Sequence, residues 1–119
     1  MLRGLPWVVP VNTTLYERLK DIASDGRTDF YQPVGELVNL DMNVELDRNT
    51  LSMLLDEINR CEHARGAPLL SSVVILATKN LPGHGYFTCA RNLGVFTGND
   101  ELKFWLEELR RVHEYWKAQ

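Results

Sequence analysis

Between residues 64 and 99 the chain has no aspartate and no glutamate, although 16 of its 119 residues are acidic. No apolar run approaches the ~20 residues that a bilayer crossing needs. The N-terminal "MLRGLPWVVPVN" is short and is broken by Pro6 and Pro10, which excludes a secretory leader of ordinary form. Two cysteines, Cys61 and Cys89, are too few for a disulfide framework, and a chain of this length can build a core without one. A basic excess is also missing: the net charge is −3, which argues against a dedicated duplex binder. Repeats, low-complexity tracts and dividing linkers are absent. These absences leave a soluble, cytoplasmic protein with reduced thiols. It is expected to fold as a single domain over residues 1–119, with no membrane partner, no cofactor and no metal.

What is present reads as helices around a little sheet. "NTTLYERLKDIASDG" carries a capping box, Thr14 with Glu17, and Leu15, Leu19, Ile22 and Ala23 recur at helical spacing before Gly26. In "TDFYQPVGELVNL", Phe30 and Tyr31 suit an extended segment, and Pro33 suits the first turn of a short helix running to about Leu40. Met42, Val44 and Leu46 alternate as in a link or edge strand. "NTLSMLLDEINRCEHARG" is a second strong helix with Leu51, Leu54, Leu55, Ile58 and Cys61 on one stripe, closed by Gly66. "LLSSVVILA", residues 69–77, is apolar on both faces and predicts a central strand covered on both sides. A helix over residues 85–93 follows, then a closing helix over 100–117 with Leu102, Trp105, Leu106, Leu109, Val112 and Trp116 inward. The fold class expected is α+β, mostly helical. About five helices would surround a small sheet whose strand 69–77 takes its partners from residues 7–11, 29–32 or 42–46.

Three stretches, "ARGAPLLSSVVI", "LPGHGYFTCARNLG" and "FWLEELRRVHEYW", occur in an order that resembles a family of small stand-alone bacterial proteins of uncharacterised function. The likeness covers residues 51–116 and implies a complete protein with no catalytic residues to carry over. "DFYQPVGELVNL" followed by the Leu51 helix is also similar to the start of a winged-helix domain. The connection over residues 41–48 is longer than a helix-turn-helix turn, however. The would-be reading helix mixes Asp56, Glu57 and Glu62 with Arg48, Arg60 and Arg65, and the proline-cysteine-histidine-arginine motif of the alkyltransferase version is absent.

Candidate chemistry centres on "TKNLPGHGYFTCARNLG", residues 78–94. Cys61, His63, His84 and Cys89 are zinc-ligand types, but Cys61 and His63 stand two apart on a helix and point about 200° from each other. His84 with Cys89 could form a nucleophilic pair, since a helix start lowers a thiol pKa, yet no nearby acid orients the histidine. The acid-free stretch keeps Arg65, Lys79 and Arg91, while acids exceed bases by six elsewhere. Lys79, Gly83, His84, Gly85 and Arg91 are therefore the candidate anion site, with free N–H groups at a helix start. A tight structural turn accounts for the same glycines. On the closing helix, Phe104 and Tyr115 lie opposite the apolar stripe. With Glu108 and Arg111 they form a candidate partner face, unless they pack on the N-terminal segment around Trp7.

The expected function is a small non-enzymatic binding or interaction module, acting through a protein partner or self-association as a homodimer. An anion or nucleic-acid contact at residues 78–91 would accompany it. Two alternatives are a cytosolic enzyme using His84 and Cys89, and a divergent winged-helix DNA-binding protein.

Overall fold

Helix α1 (Thr13–Ser24) begins in the computed structural model, which describes residues 11–119, where the Asn12 side chain accepts a hydrogen bond from Leu15 N at 2.9 Å. The cap is thus Asn12 and not the Thr14–Glu17 box. Asn12 has the extended backbone that a cap needs, and Thr14 is already inside the helix. Leu15, Leu19, Ile22 and Ala23 are all buried as their spacing requires, and Gly26 closes the helix at φ +69°.

Strand β1 (Asp29–Phe30) leads directly into α2 (Tyr31–Glu36), so Tyr31 opens the helix and does not extend the strand. Helix α3 (Glu45–Ala64) starts about four residues before the expected Asn49. Glu45 and Asp47 lie in its first turn, where acids favour the positive end of the helix dipole. The alternation of Met42, Val44 and Leu46 is therefore no edge strand: Val44 and Leu46 are exposed at the helix start. The buried stripe of α3 is Leu51, Leu55, Ile58, Asn59 and Glu62, while Cys61 is exposed. Glu62 takes the inward place because Arg65 and Tyr16 are there to pair with it.

Residues 67–75 are buried without a break, as two-sided cover predicts, but most of them do not form a strand. Leu70–Val73 make a 3-10 turn, and only Val74–Ile75 form β2, paired parallel to β1 in the register Asp29↔Val74, Phe30↔Ile75. Side chains satisfy the turn's backbone where sheet neighbours would otherwise be needed. Glu108 accepts from Leu69 N (2.9 Å), Asn59 accepts from Ser71 N (3.0 Å), and Trp105 donates to Ser72 O (2.9 Å). Of the expected strand partners, 29–32 supplies the pairing and 42–46 does not; residues 7–10, with Trp7, lie outside the described residues.

Helix α4 (His84–Asn92) packs on α3, and α5 (Glu101–Lys117) packs on α1 and on the 3-10 turn. Asp100 caps α5 through Lys103 N at 3.0 Å. The inward line of α5 is Trp105, Glu108 and Val112, whereas Leu102 and Leu106 are about half exposed. At about 100° per residue the helix is turned roughly 60° from the orientation its leucines predict, because Glu108 must face Leu69 N. Two cores result. An aliphatic one joins α1, α2, α3 and the buried turn. An aromatic one gathers Tyr86, Phe87, Phe96 and Trp105. Among the described residues no helix is long and apolar enough to cross a membrane.

Candidate functional site

The turn after β2 is shaped locally before it touches anything else. Asn80 adopts φ +54°, a conformation asparagine tolerates, and donates its N–H to Leu76 O at 2.8 Å. Leu76 N in turn reaches Leu81 O at 2.8 Å, and Pro82 is buried behind it. Gly83 N then donates to the Tyr31 hydroxyl at 2.8 Å, which ties the turn to α2. Gly85 lies so close to α3 that a Cβ there would meet Ser52 Oγ at 2.6 Å. Gly85 thus allows the close approach to α3, whereas at Gly83 a Cβ would stand at an ordinary contact distance of 3.5 Å from the Tyr31 hydroxyl.

Beside this approach lies a half-open cavity of about 270 Å³ along the seam between the two cores. Leu55, Leu76, Met42 and the rings of Tyr31 and Tyr86 give it apolar walls. Arg48, Ser52 and Asp56 come from α3, and Ser71 from the 3-10 turn. Ser71 Oγ already accepts from Asn59 Nδ2 at 2.7 Å, and the Tyr86 hydroxyl is bonded to Ser72 Oγ at 2.6 Å. Burial pushes the Tyr31 and Tyr86 hydroxyls up, so both stay protonated at neutral pH. Burial likewise raises the Asp56 carboxyl, against the pull of Arg60 and a hydrogen bond from Cys89. Neither Arg48 nor Asp56 is in an ion pair among the described residues.

Gly83 and Gly85 of the candidate anion site line this cavity, but Lys79, His84 and Arg91 do not. His84 is exposed and turned to Thr88 Oγ1 at 3.3 Å. Arg91 stacks over the Phe96 ring at 4.0 Å, Lys79 is exposed on the turn, and Arg65 is bonded to Glu62. The acid-free stretch is also not acid-free in space, because Asp56 faces it from α3. Among the described residues no hydrogen bond joins His84 to Cys89, since the imidazole is turned to Thr88. The Cys89 thiol is pushed up from 9.0 to about 11, first by burial and then by the Asp56 carboxylate, which outweighs the helix start. Cys61 and His63 are both exposed on α3, and among the described residues no group of three or more His, Cys, Asp or Glu could hold a metal ion.

The candidate partner face is also rearranged by the turn of α5. Phe104 stacks on Phe96 with ring centroids 4.6 Å apart, and Tyr115 packs edge-on to Trp116. Glu108 is buried and receives Arg111 Nη1 at 2.7 Å. The exposed apolar pair is instead Leu102 and Leu106.

Tyr31, Arg48, Ser52, Asp56, Ser71 and Leu76 escape notice in the sequence. One signal for them exists: 48, 52 and 56 are spaced i, i+4, i+8 on the side of α3 next to its leucine stripe. Compared with known proteins, the chain matches no family, no curated sequence and no solved structure.

Proposed function

We propose that this protein is a non-catalytic binding module whose site is the cavity between α2, α3, the 3-10 turn and the start of α4. The observation that carries this is the close-fitting glycine turn, with Gly83 held by Tyr31 and Gly85 against Ser52, beside an apolar-walled space of about 270 Å³. A space of this kind with a few polar groups suits a small molecule with an apolar body. The high thiol pKa of Cys89 and the outward His84 favour binding over nucleophilic chemistry.

The test is an amide NMR titration with hexanol as a neutral apolar probe. Shifts should concentrate at Tyr31, Ser52 and Tyr86 and disappear in Leu76→Trp, which fills the space, provided that variant keeps its melting transition. Shifts scattered over the surface, or unchanged in Leu76→Trp, overturn the reading. A second reading, self-association through α5, draws on the exposed Leu102 and Leu106. Light scattering at rising concentration should then show a dimer that Leu106→Glu abolishes.

A further inference from the structure

Arg48, Ser52 and Asp56 occupy one line of α3, and all three border the cavity. Two helical turns, ~12 Å of axis, separate the first from the last, so the guanidinium and the carboxylate stand toward opposite ends of that wall. Arg48 is exposed, with Nη1 donating to Met42 O at 2.9 Å. Asp56 is half-buried, takes a hydrogen bond from Cys89 and makes no ion pair with Arg60. Between the two stands Ser52, with apolar Leu55, Leu76 and Tyr86 completing the wall.

An uncharged occupant would take water from half-buried Asp56 and return no partner, which is costly for a charge, and it would leave Arg48 unused. An occupant with one charge would satisfy one end and leave the other without a partner in the complex. We infer that the cavity selects a zwitterion, a molecule with an anionic group at one end of an apolar body for Arg48 and an ammonium at the other for Asp56. This rests on the cavity being the binding site. Charge-assisted hydrogen bonds at both ends would fix the ligand's direction, with the ammonium end inward beside the half-buried carboxylate.

Four probes of equal chain length separate the outcomes by NMR titration: ε-aminocaproate, caproate, hexylamine and hexanol. ε-Aminocaproate should bind at least about tenfold more tightly than each of the others. Asp56→Asn should reduce it to the level of caproate, and Arg48→Gln to the level of hexylamine. Both substitutions should leave hexanol bound at least as tightly as in wild type, which also shows that the cavity persists in the variants. Hexanol, or either singly charged probe, binding as tightly as ε-aminocaproate overturns the zwitterion while the cavity stands as a binding site. Silence from all four probes overturns both.

Discussion

Glu62 and Asp56 sit on the same helix, less than two turns apart, and their surroundings differ in kind. Glu62 is fully buried; it accepts the Tyr16 hydroxyl at 2.9 Å and Arg65 Nη2 at 2.8 and 2.9 Å. Asp56 is half-buried, borders a cavity and has no ion-pair partner among the described residues. The first carboxylate is satisfied inside the fold, so it joins α1 to α3 and has little capacity left for anything else. The second keeps an oxygen that the protein does not fully occupy. A buried charge with partners belongs to the frame, and a partly buried one beside open space is available for recognition.

The largest expected effect breaks the frame side of this contrast. Glu62→Ala should lower unfolding stability by about 2–4 kcal/mol in urea titrations, from lost charged hydrogen bonds and an unfilled space. Asp56→Ala should cost under about 1 kcal/mol. Equal losses would place both carboxylates in the frame. The Tyr16 hydroxyl, held up at about 12 by burial and by Glu62, should titrate at lower pH in Glu62→Ala, readable in the ultraviolet.

The thiols come next. At neutral pH a thiol raised from 9.0 to about 11 carries roughly a hundredth of its ordinary thiolate. Disulfide reagents should therefore label exposed Cys61 at once and buried Cys89 only on unfolding, so Cys61→Ser should abolish the fast phase. A fast phase that survives would return Cys89 to the list of reactive groups.

Gly85→Ala sharpens the account of the turn. The new methyl would press on Ser52 Oγ, and the expected loss is about 1 kcal/mol. In a Ser52→Ala background the same change should become neutral or stabilising, since alanine is the better helix former. No such reversal would mean that α3 does not crowd this position.

The smallest effect concerns Asp56 and pH. Its folded pKa is raised above its ordinary 3.8, so its ionised form opposes folding. That opposition is fully present above the raised value and vanishes as pH falls below 3.8. Asp56→Asn should thus be more stable than wild type by up to about 0.5 kcal/mol at neutral pH. The gain should shrink to nothing in acid. A gain that grows in acid would reverse the sign and contradict the burial of this carboxyl.

Sequence pattern was a good guide where each residue's place depends on its own helix. Leu15, Leu19 and Ile22 are buried at helical spacing, Gly26 and Gly66 close their helices at positive φ, and the mostly helical α+β class holds. It failed where a distant polar group decides. Nothing near "LLSSVVILA" says that Asn59, Trp105 and Glu108 will bond its backbone and replace a strand with a 3-10 turn. An apolar run alone does not distinguish these outcomes. The same Glu108 turns α5 and exposes Leu102 and Leu106. The glycine turn was visible as a place where chains come close, but the facing residues, from Tyr31 to Asp56, belong to elements far away in sequence.

The two-residue pairing of β1 with β2 has a kinetic consequence. Asp29 and Val74 can meet only after the chain between them has closed into one large loop, and closing it costs about (3/2)RT ln n in lost freedom. Helices α2 and α3 lie inside that loop and can form early from local contacts. This two-residue pairing is therefore among the last contacts to assemble among the described residues, and it fastens β2 just ahead of the turn that borders the cavity. Amide exchange in β2 should accordingly report an opening that costs less than opening the middle of α3, since the last pairing to form is among the first to break.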